Sequence, residues 1–249
     1  MTIAQIFNDI GYLFANSWQL YLYGVASTLI LSIFGTVVGL LIGVFLAFGR
    51  DIPVLGWFCK GYSIVIRGTP MMVQALIFKY TCQLAFNINW NLILPGIPVM
   101  NGWLIAGLVV ITLNTAAYMC EIVRSGLNGV DKGQIEGAKS LGMTNFQTLI
   151  HVTLPQALRN SLPTIGNEWV VNIKDSSVLN IIGVTELFAM AEESVVSNYK
   201  YLAAYVIIAL IYLILTLGAT GILKLLENKM DGKKFKFSLF HFKPKERGA

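Results

Sequence analysis

The sequence predicts an all-α integral membrane protein with five transmembrane helices, an N-terminal interfacial helix and a helical loop on the cytoplasmic side. Three observations carry that expectation. Apolar side chains make up 55% of the 249 residues and charged ones only 12%, with a mean hydropathy of +0.67. A soluble globular domain carries about 25% charged residues. Four long apolar runs read as spans, and a fifth stretch is apolar but studded with polar groups. The net charge of +5 is unevenly spread. Basic residues gather in 50–67, 124–159 and 224–247 and are nearly absent from 1–49, 87–101 and 185–199.

Residues 1–23 are amphipathic. Ile3, Ile6, Phe7, Ile10, Leu13 and Phe14 share one helical face, and Asn8, Asp9 and Asn16 interrupt the other. Trp18, Tyr21 and Tyr23 follow, as interface anchors do, so 1–23 reads as an external interfacial helix leading into a span. The first span, 24–48, is long enough to cross about 30 Å of hydrocarbon with some tilt. Its Gly35, Gly39 and Gly43 recur every four residues, a small-xxx-small pattern that permits close helix approach. Arg50, Asp51 and Pro53 close it.

The second span is read over 62–86, with Arg67-Gly68-Thr69-Pro70 near its start. Pro70 has no N–H to donate and Gly68 loosens the helix, so a kink is expected, tolerable only against protein or water. The loop 87–101 carries no charge. The third span, 102–122, holds a polar spot at Thr112, Asn114 and Thr115, and Glu121 and Arg124 end it. After a long polar interruption, 160–184 is apolar but carries Asn167, Glu168, Asn172, Lys174 and Asp175. Residues 185–200 hold three glutamates and one lysine, and 201–226 form the last span. The basic tail, 227–249, interleaves Phe235, Phe237, Phe240 and Phe242 with lysines and suits the anionic inner leaflet. Nucleic-acid binding is the reading set aside for it.

The positive-inside rule places the basic stretches in the cytoplasm. That requires an odd number of crossings with the N-terminus outside, whereas the clear spans number four. The polar stretch 160–184 is therefore the missing crossing, and its polar groups imply shielding from lipid. No Lys or Arg precedes Arg50, which argues against a cleavable signal peptide. Cys59, Cys82 and Cys120 lack metal-ligand spacing and read as small buried apolar groups. No phosphate-cradling glycine loop and no nucleophile elbow occurs, so neither nucleotide hydrolysis nor acyl transfer is expected of this chain, and no metal or cofactor site is assigned to it.

The polar interruption 121–163 has its own helical order. Gln134 to Leu141 are helix formers with Ile135, Ala138 and Leu141 on one face. Gly142 is placed to end that helix, and Thr144 with Gln147 has capping-box spacing for a second, limited by Pro155. A short helix projecting from a membrane suits a groove on a partner. Here the residues resemble a known family. Glu136-Gly137-Ala138, Gly142, Ile150 and Leu154-Pro155 are similar to the cytoplasmic loop signature of permease subunits of ABC importers, with Gly137 standing where an alanine is usual. Arg67-Gly68-Thr69-Pro70 with Gln74, Ala117-Tyr118 with Glu121, Gly133-Gln134, Leu154-Pro155-Gln156-Ala157 and Lys174-Asp175-Ser176-Ser177 narrow the resemblance to permeases of polar amino-acid importers, over nearly the whole chain.

That resemblance implies a five-span permease domain over 24–226, with a coupling loop at 123–158. It implies a second permease subunit, identical or sister, and an external amino-acid-binding protein. Two cytoplasmic ATPases would hold ATP and Mg and dock at Gln134, Glu136, Gly137, Ala138, Gly142, Leu154 and Pro155. A free amino acid needs an acceptor for its ammonium and a donor for its carboxylate. Glu168 is the candidate acceptor, or else a structural partner of Lys174. Asn114 is a second candidate, or else an interhelical hydrogen bond. Gln74, one turn beyond Pro70 and expected to face the same cavity, and Thr69 are further substrate-binding candidates. Lys79, about 18 Å beyond Arg67 along a helix, either meets a substrate carboxylate or snorkels to the outer headgroups. An importer of another small solute is the alternative within transport, and a membrane scaffold or enzyme the alternative outside it.

Overall fold

In a computed structural model that describes residues 2–88, 90, 102–196 and 199–230, every regular element is helical. Helix α1 spans Ile3–Gly49, α2 Pro53–Arg67, α3 Met71–Phe86 and α4 Gly102–Asn128. Helices α5 (Lys132–Ser140) and α6 (Asn145–Thr148) follow, then α7 (Leu154–Asp175), α8 (Leu187–Val195) and α9 (Tyr201–Met230). Three of them are long and apolar enough to cross a membrane: α1, α4 and α9. The other two expected crossings fall on the broken pair α2–α3 and on the polar α7.

The first difference from expectation lies in α1. No break separates 1–23 from the span; one helix of 47 residues, about 70 Å at 1.5 Å per residue, runs through both. The start is set by a capping box, in which Thr2 and Gln5 exchange side-chain-to-backbone hydrogen bonds of 2.7 and 3.4 Å. No proline lies between there and Gly49, so the expected interfacial helix is the leading part of the first span's own helix.

Helices α1 and α4 run parallel, in register. Gly35 packs on Ile111, Gly39 on Thr115 and Ala116, and Gly43 on Met119 and Cys120, so each four-residue step on one helix matches four on the other. A Cβ on Gly43 would lie 2.5 Å from that of Met119, closer than any side chain allows. The small-xxx-small pattern is thus the packing seam of the two spans. Helix α7 lies antiparallel to α4: Gly126 meets Ser161 near one end, and Thr115 meets Asn172 near the middle.

The kink expected at Gly68–Pro70 is a full break that separates α2 from α3. The second difference concerns Pro155, expected to end the second loop helix. It does not. Residues Leu149–Thr153 form a wide π turn, and α6, that turn and α7 are continuous. A proline offers no N–H and its ring crowds the carbonyl four residues back, and the widened turn accommodates both. Beyond α7 the chain tightens into a 3₁₀ stretch, Ser176–Ile182, ended by Gly183 at φ +102°. Helix α8 then lies against α1 and α9 around Leu13, Tyr21, Leu187, Ala191, Ala204 and Ile208. Most of the basic tail and of the loop 87–101 lies outside the described residues.

Candidate functional site

The break in the second crossing leaves carbonyls without helical partners, and a side chain meets them. Gln74 Nε2 donates to the Ile66 carbonyl at 2.7 Å and lies 2.9 Å from both the carbonyl and the hydroxyl of Thr69. Thr69 in turn donates to the Val65 carbonyl at 2.8 Å. Asn114 Nδ2 reaches across from α4 to Gln74 Oε1 at 3.0 Å. Three of the residues expected at a solute site, Thr69, Gln74 and Asn114, are therefore brought together, as a brace for the break. They stand beside a cleft of about 450 Å³, otherwise lined by apolar groups such as Ile66, Val73, Ile77 and Leu113.

Glu168 lies elsewhere, on α7, half-buried, within electrostatic reach of Asp175 two turns further on and of Arg67. It forms no ion pair with Lys174, whose side chain is exposed. One turn before it Thr164 lines a second cleft of about 620 Å³ between α4 and α7, with Glu121, Ser125, Asn160 and Ser161. This cleft is polar where the first is apolar. Between Glu168 and Asp175, Asn172 is buried and accepts from Thr115 Oγ1 at 3.1 Å while donating to Thr36 Oγ1 at 2.9 Å. One amide thus ties α1, α4 and α7 together in the middle of the bundle.

Lys79 does not line either cleft. Its ammonium sits over the ring of Trp103, 4.8 Å from the centroid, with Tyr80 at 5.9 Å. At the opposite end of the bundle, Glu121 binds Arg50 at 2.9 Å and Arg67 at 3.3 Å, and Arg124 binds Asp51 at 2.8 Å. Arg67 also stacks over Tyr118, 5.6 Å from its centroid. These pairs hold the ends of α1, α2 and α4 together.

From this charged end the pair α5–α6 projects. Asp131 caps α5 by accepting from the Gly133 N–H at 2.6 Å, and Gly142 ends it at φ +83°. Thr144 and Gln147 then form the expected capping box at 2.9 and 3.2 Å. Ala138 is buried and anchors the pair, whereas Gln134, Glu136, Gly137, Gly142 and Pro155 are exposed and Leu154 is half-buried. Leu141 and Phe146 stand 86% and 72% exposed on either side of Gly142. Two large apolar side chains are thus presented at the tip of the pair.

At the far end, Glu186 was not singled out by sequence reasoning, yet it is 0% exposed. Its Oε1 accepts from the N–H groups of Phe188 and Ala189 at 2.9 and 3.0 Å, and its Oε2 from Tyr212 at 2.6 Å and Thr28 at 3.5 Å. Burial pushes this carboxyl above the usual carboxylate range, against the hydrogen bonds that lower it. The charge cluster and Asn172 were also missed as contacts. The available signal was that Arg50, Arg67, Glu121 and Arg124 all end spans on one expected side; Glu186 had only its place before an apolar run.

A parallel pair of long apolar helices sealed by glycines, a broken helix pair, a polar helix and a helical pair projecting from the charged end fit a membrane transport permease. The chain belongs to the family of binding-protein-dependent transport system inner membrane components, which matches residues 39–232. The glutamine transport system permease protein GlnP of Escherichia coli (strain K12) is 35% identical over 215 residues, 85% of this chain and 93% of that protein. The arginine transport system permease protein ArtQ of Bacillus subtilis (strain 168) is 33% identical, covering 84% of this chain and 91% of its own. Among solved structures, the crystal structure of an amino acid ABC transporter with histidines is similar at a TM-score of 0.77 and 34% identity, over 86% of this chain and 96% of that one. The inward-facing MetNI methionine ABC transporter shares the fold, at a TM-score of 0.60 and 17% identity, over 90% and 98% of the two chains.

Proposed function

We propose that this chain is the permease subunit of an ATP-driven importer of polar amino acids, with its N-terminus outside and its C-terminus in the cytoplasm. The observation that carries the reading is the α5–Gly142–α6 pair, which projects Leu141 and Phe146 from the charged end of a membrane bundle. Two ATPase subunits dock there, around Gln134, Glu136, Gly137, Ala138 and Gly142, and bind the ATP and Mg that this chain has no motif to hold. Leu154 and Pro155, at the entry to α7, receive the displacement. A second permease subunit completes the path, and an external binding protein delivers the amino acid. Five crossings, counting α2–α3 and α7, satisfy the charge asymmetry.

Within the path, Glu168 is the group for a substrate ammonium or cationic side chain, reached from the polar cleft at Thr164 and Asn160. Thr69, Gln74 and Asn114 shape the neighbouring wall. Lys79 acts at the far end, held by Trp103. The named relatives transport glutamine and arginine by their descriptions, which supports a polar amino acid over another small solute. A scaffold or enzyme role has no paired catalytic constellation behind it. The test is ATP-dependent uptake of labelled amino acids into proteoliposomes holding this chain with its ATPase and binding protein. Uptake of a polar amino acid, reduced at least tenfold by Glu168→Gln or by Gly142→Val, is the expected result; saturable uptake of an unrelated solute alone would overturn it.

A further inference from the structure

A carboxylate that is fully buried with no cation beside it is expensive, and a residue kept in that state within a membrane bundle marks an element whose position matters. Glu186 is such a group. Four donors face it: the phenol of Tyr212 from α9, the hydroxyl of Thr28 from α1, and the N–H groups of Phe188 and Ala189 from α8 itself. Tyr212 is the titratable group that faces it, and no charged side chain of α1, α8 or α9 reaches it. It is thereby the joint of three helices. The same joint is tightened by Gly24, where a Cβ would lie 2.6 Å from the Leu187 Cα, and by the Leu187 N–H, which donates to Thr28 Oγ1 at 3.3 Å. On the other side of α8, Glu192 accepts from Asn180 of the 3₁₀ stretch at 2.9 Å. Helix α8 is short, lies at the end of the bundle away from the charged cluster, and joins the polar crossing to the last span.

We propose that Glu186 is the positioning residue of an outer gate, holding α8 docked between α1 and α9 through Tyr212 and Thr28 so that docking is firm yet reversible. That α8 gates a solute path rests on the transport reading above; that Glu186 controls its docking does not. The chemistry separates the roles of the two partners. A glutamine at this position carries no charge: its carbonyl accepts from the two N–H groups, and the Tyr212 and Thr28 hydroxyls, which donate to the carboxylate, accept from its amide instead. It docks α8 more firmly. A phenylalanine at 212 strips the shortest hydrogen bond from a carboxylate that stays buried, and docks α8 less firmly. Because burial raises this carboxyl in the docked state, docking is complete at low pH and weakens as the pH rises through the docked value.

The test uses the full chain in proteoliposomes with its partners, carrying Ala191→Cys, a wholly buried α8 position, against an impermeant maleimide; the native Cys59, Cys82 and Cys120 are all buried. Rates are divided by those of Val196→Cys, an exposed reference, which removes the intrinsic pH dependence of the thiol. The expected result is labelling that rises in the parent as the pH is raised above the usual carboxylate range, a slow and pH-independent rate in Glu186→Gln, and a rate about fivefold faster in Tyr212→Phe. In uptake, Glu186→Gln lowers the maximal rate and leaves half-saturation by loaded binding protein unchanged. If both variants move labelling in the same direction, or neither moves it by twofold, the positioning role is wrong. If labelling behaves as expected while the parent complex takes up no amino acid, the transport reading fails and the positioning role stands.

Discussion

A methyl group added at Gly43 would sit 2.5 Å from the Met119 Cβ and 2.9 Å from the Cys120 nitrogen, both on a helix that cannot retreat. Gly43→Ala is therefore expected to lose about 1–3 kcal/mol of stability through overpacking, read as a lower unfolding temperature in detergent. The same change at Gly61, where a Cβ meets nothing within 4 Å, is expected to gain about 0.5–1 kcal/mol of helix preference. Asn172 makes the complementary case. Asn172→Leu removes hydrogen bonds to two threonines on two helices, each worth about 0.6 kcal/mol in a membrane, so a loss near 1 kcal/mol is expected, and Thr36→Val combined with Asn172→Leu should cost less than the sum of the two changes. The spacing of Gly35, Gly39 and Gly43 announced their close approach, because a period of four is a local property. That Asn172 would find Thr36 and Thr115 was not legible, since it depends on the relative depth of three helices. The same limit explains Lys79: its charge was visible, but the ring of Trp103 that holds it lies on another element.

Among elements, the break between α2 and α3 and the turn between α5 and α6 carry the sharpest expectations. Gln74→Leu leaves the Ile66 and Thr69 carbonyls without their donor inside a bundle, a loss of about 1–3 kcal/mol, whereas Gln74→Glu, which cannot donate when ionised, should be at least as damaging. Thermal unfolding of the two variants checks this. Gly142→Val forces a β-branched residue to φ +83°, at about 1–2 kcal/mol, and should weaken ATPase binding measured by co-purification. Both features were readable as punctuation: Gly68 and Pro70 broke a helix, and Gly142 ended one. The role of Pro155 was misread because its effect is set by the turn before it. A π turn of Leu149–Thr153 has no strong residue signature, so the continuity of α6 with α7 is not legible in the sequence.

At the scale of the molecule, charge asymmetry and hydropathy lead to different counts of crossings. Among the described residues only α1, α4 and α9 pass as spans by length and apolarity, and α7 is expected to cross from the parity of the basic stretches. The orientation follows from the same charges and is open to a direct check. With the native cysteines buried, Phe7→Cys and Leu141→Cys are both exposed positions at opposite ends of the bundle; an impermeant thiol reagent added to intact cells should label the first and not the second until the membrane is permeabilised. Labelling in the reverse order would invert the topology. The general class was legible because composition and short motifs are enough for it, whereas the separation of Glu168 from the Thr69–Gln74–Asn114 brace was not, because it depends on the packing of α2, α3, α4 and α7. The unbroken run from α6 through the π turn into α7 has one more consequence. Phe146 and Glu168 stand on one continuous helical run, 22 residues and about 33 Å apart, bent at the π turn and at Pro163 within α7 but with no loop between them. Displacement at one end is therefore expected to reach the other: a fluorophore placed beside Phe146 should change its emission when solute is supplied to the assembled transporter, and Glu168→Gln should abolish that change.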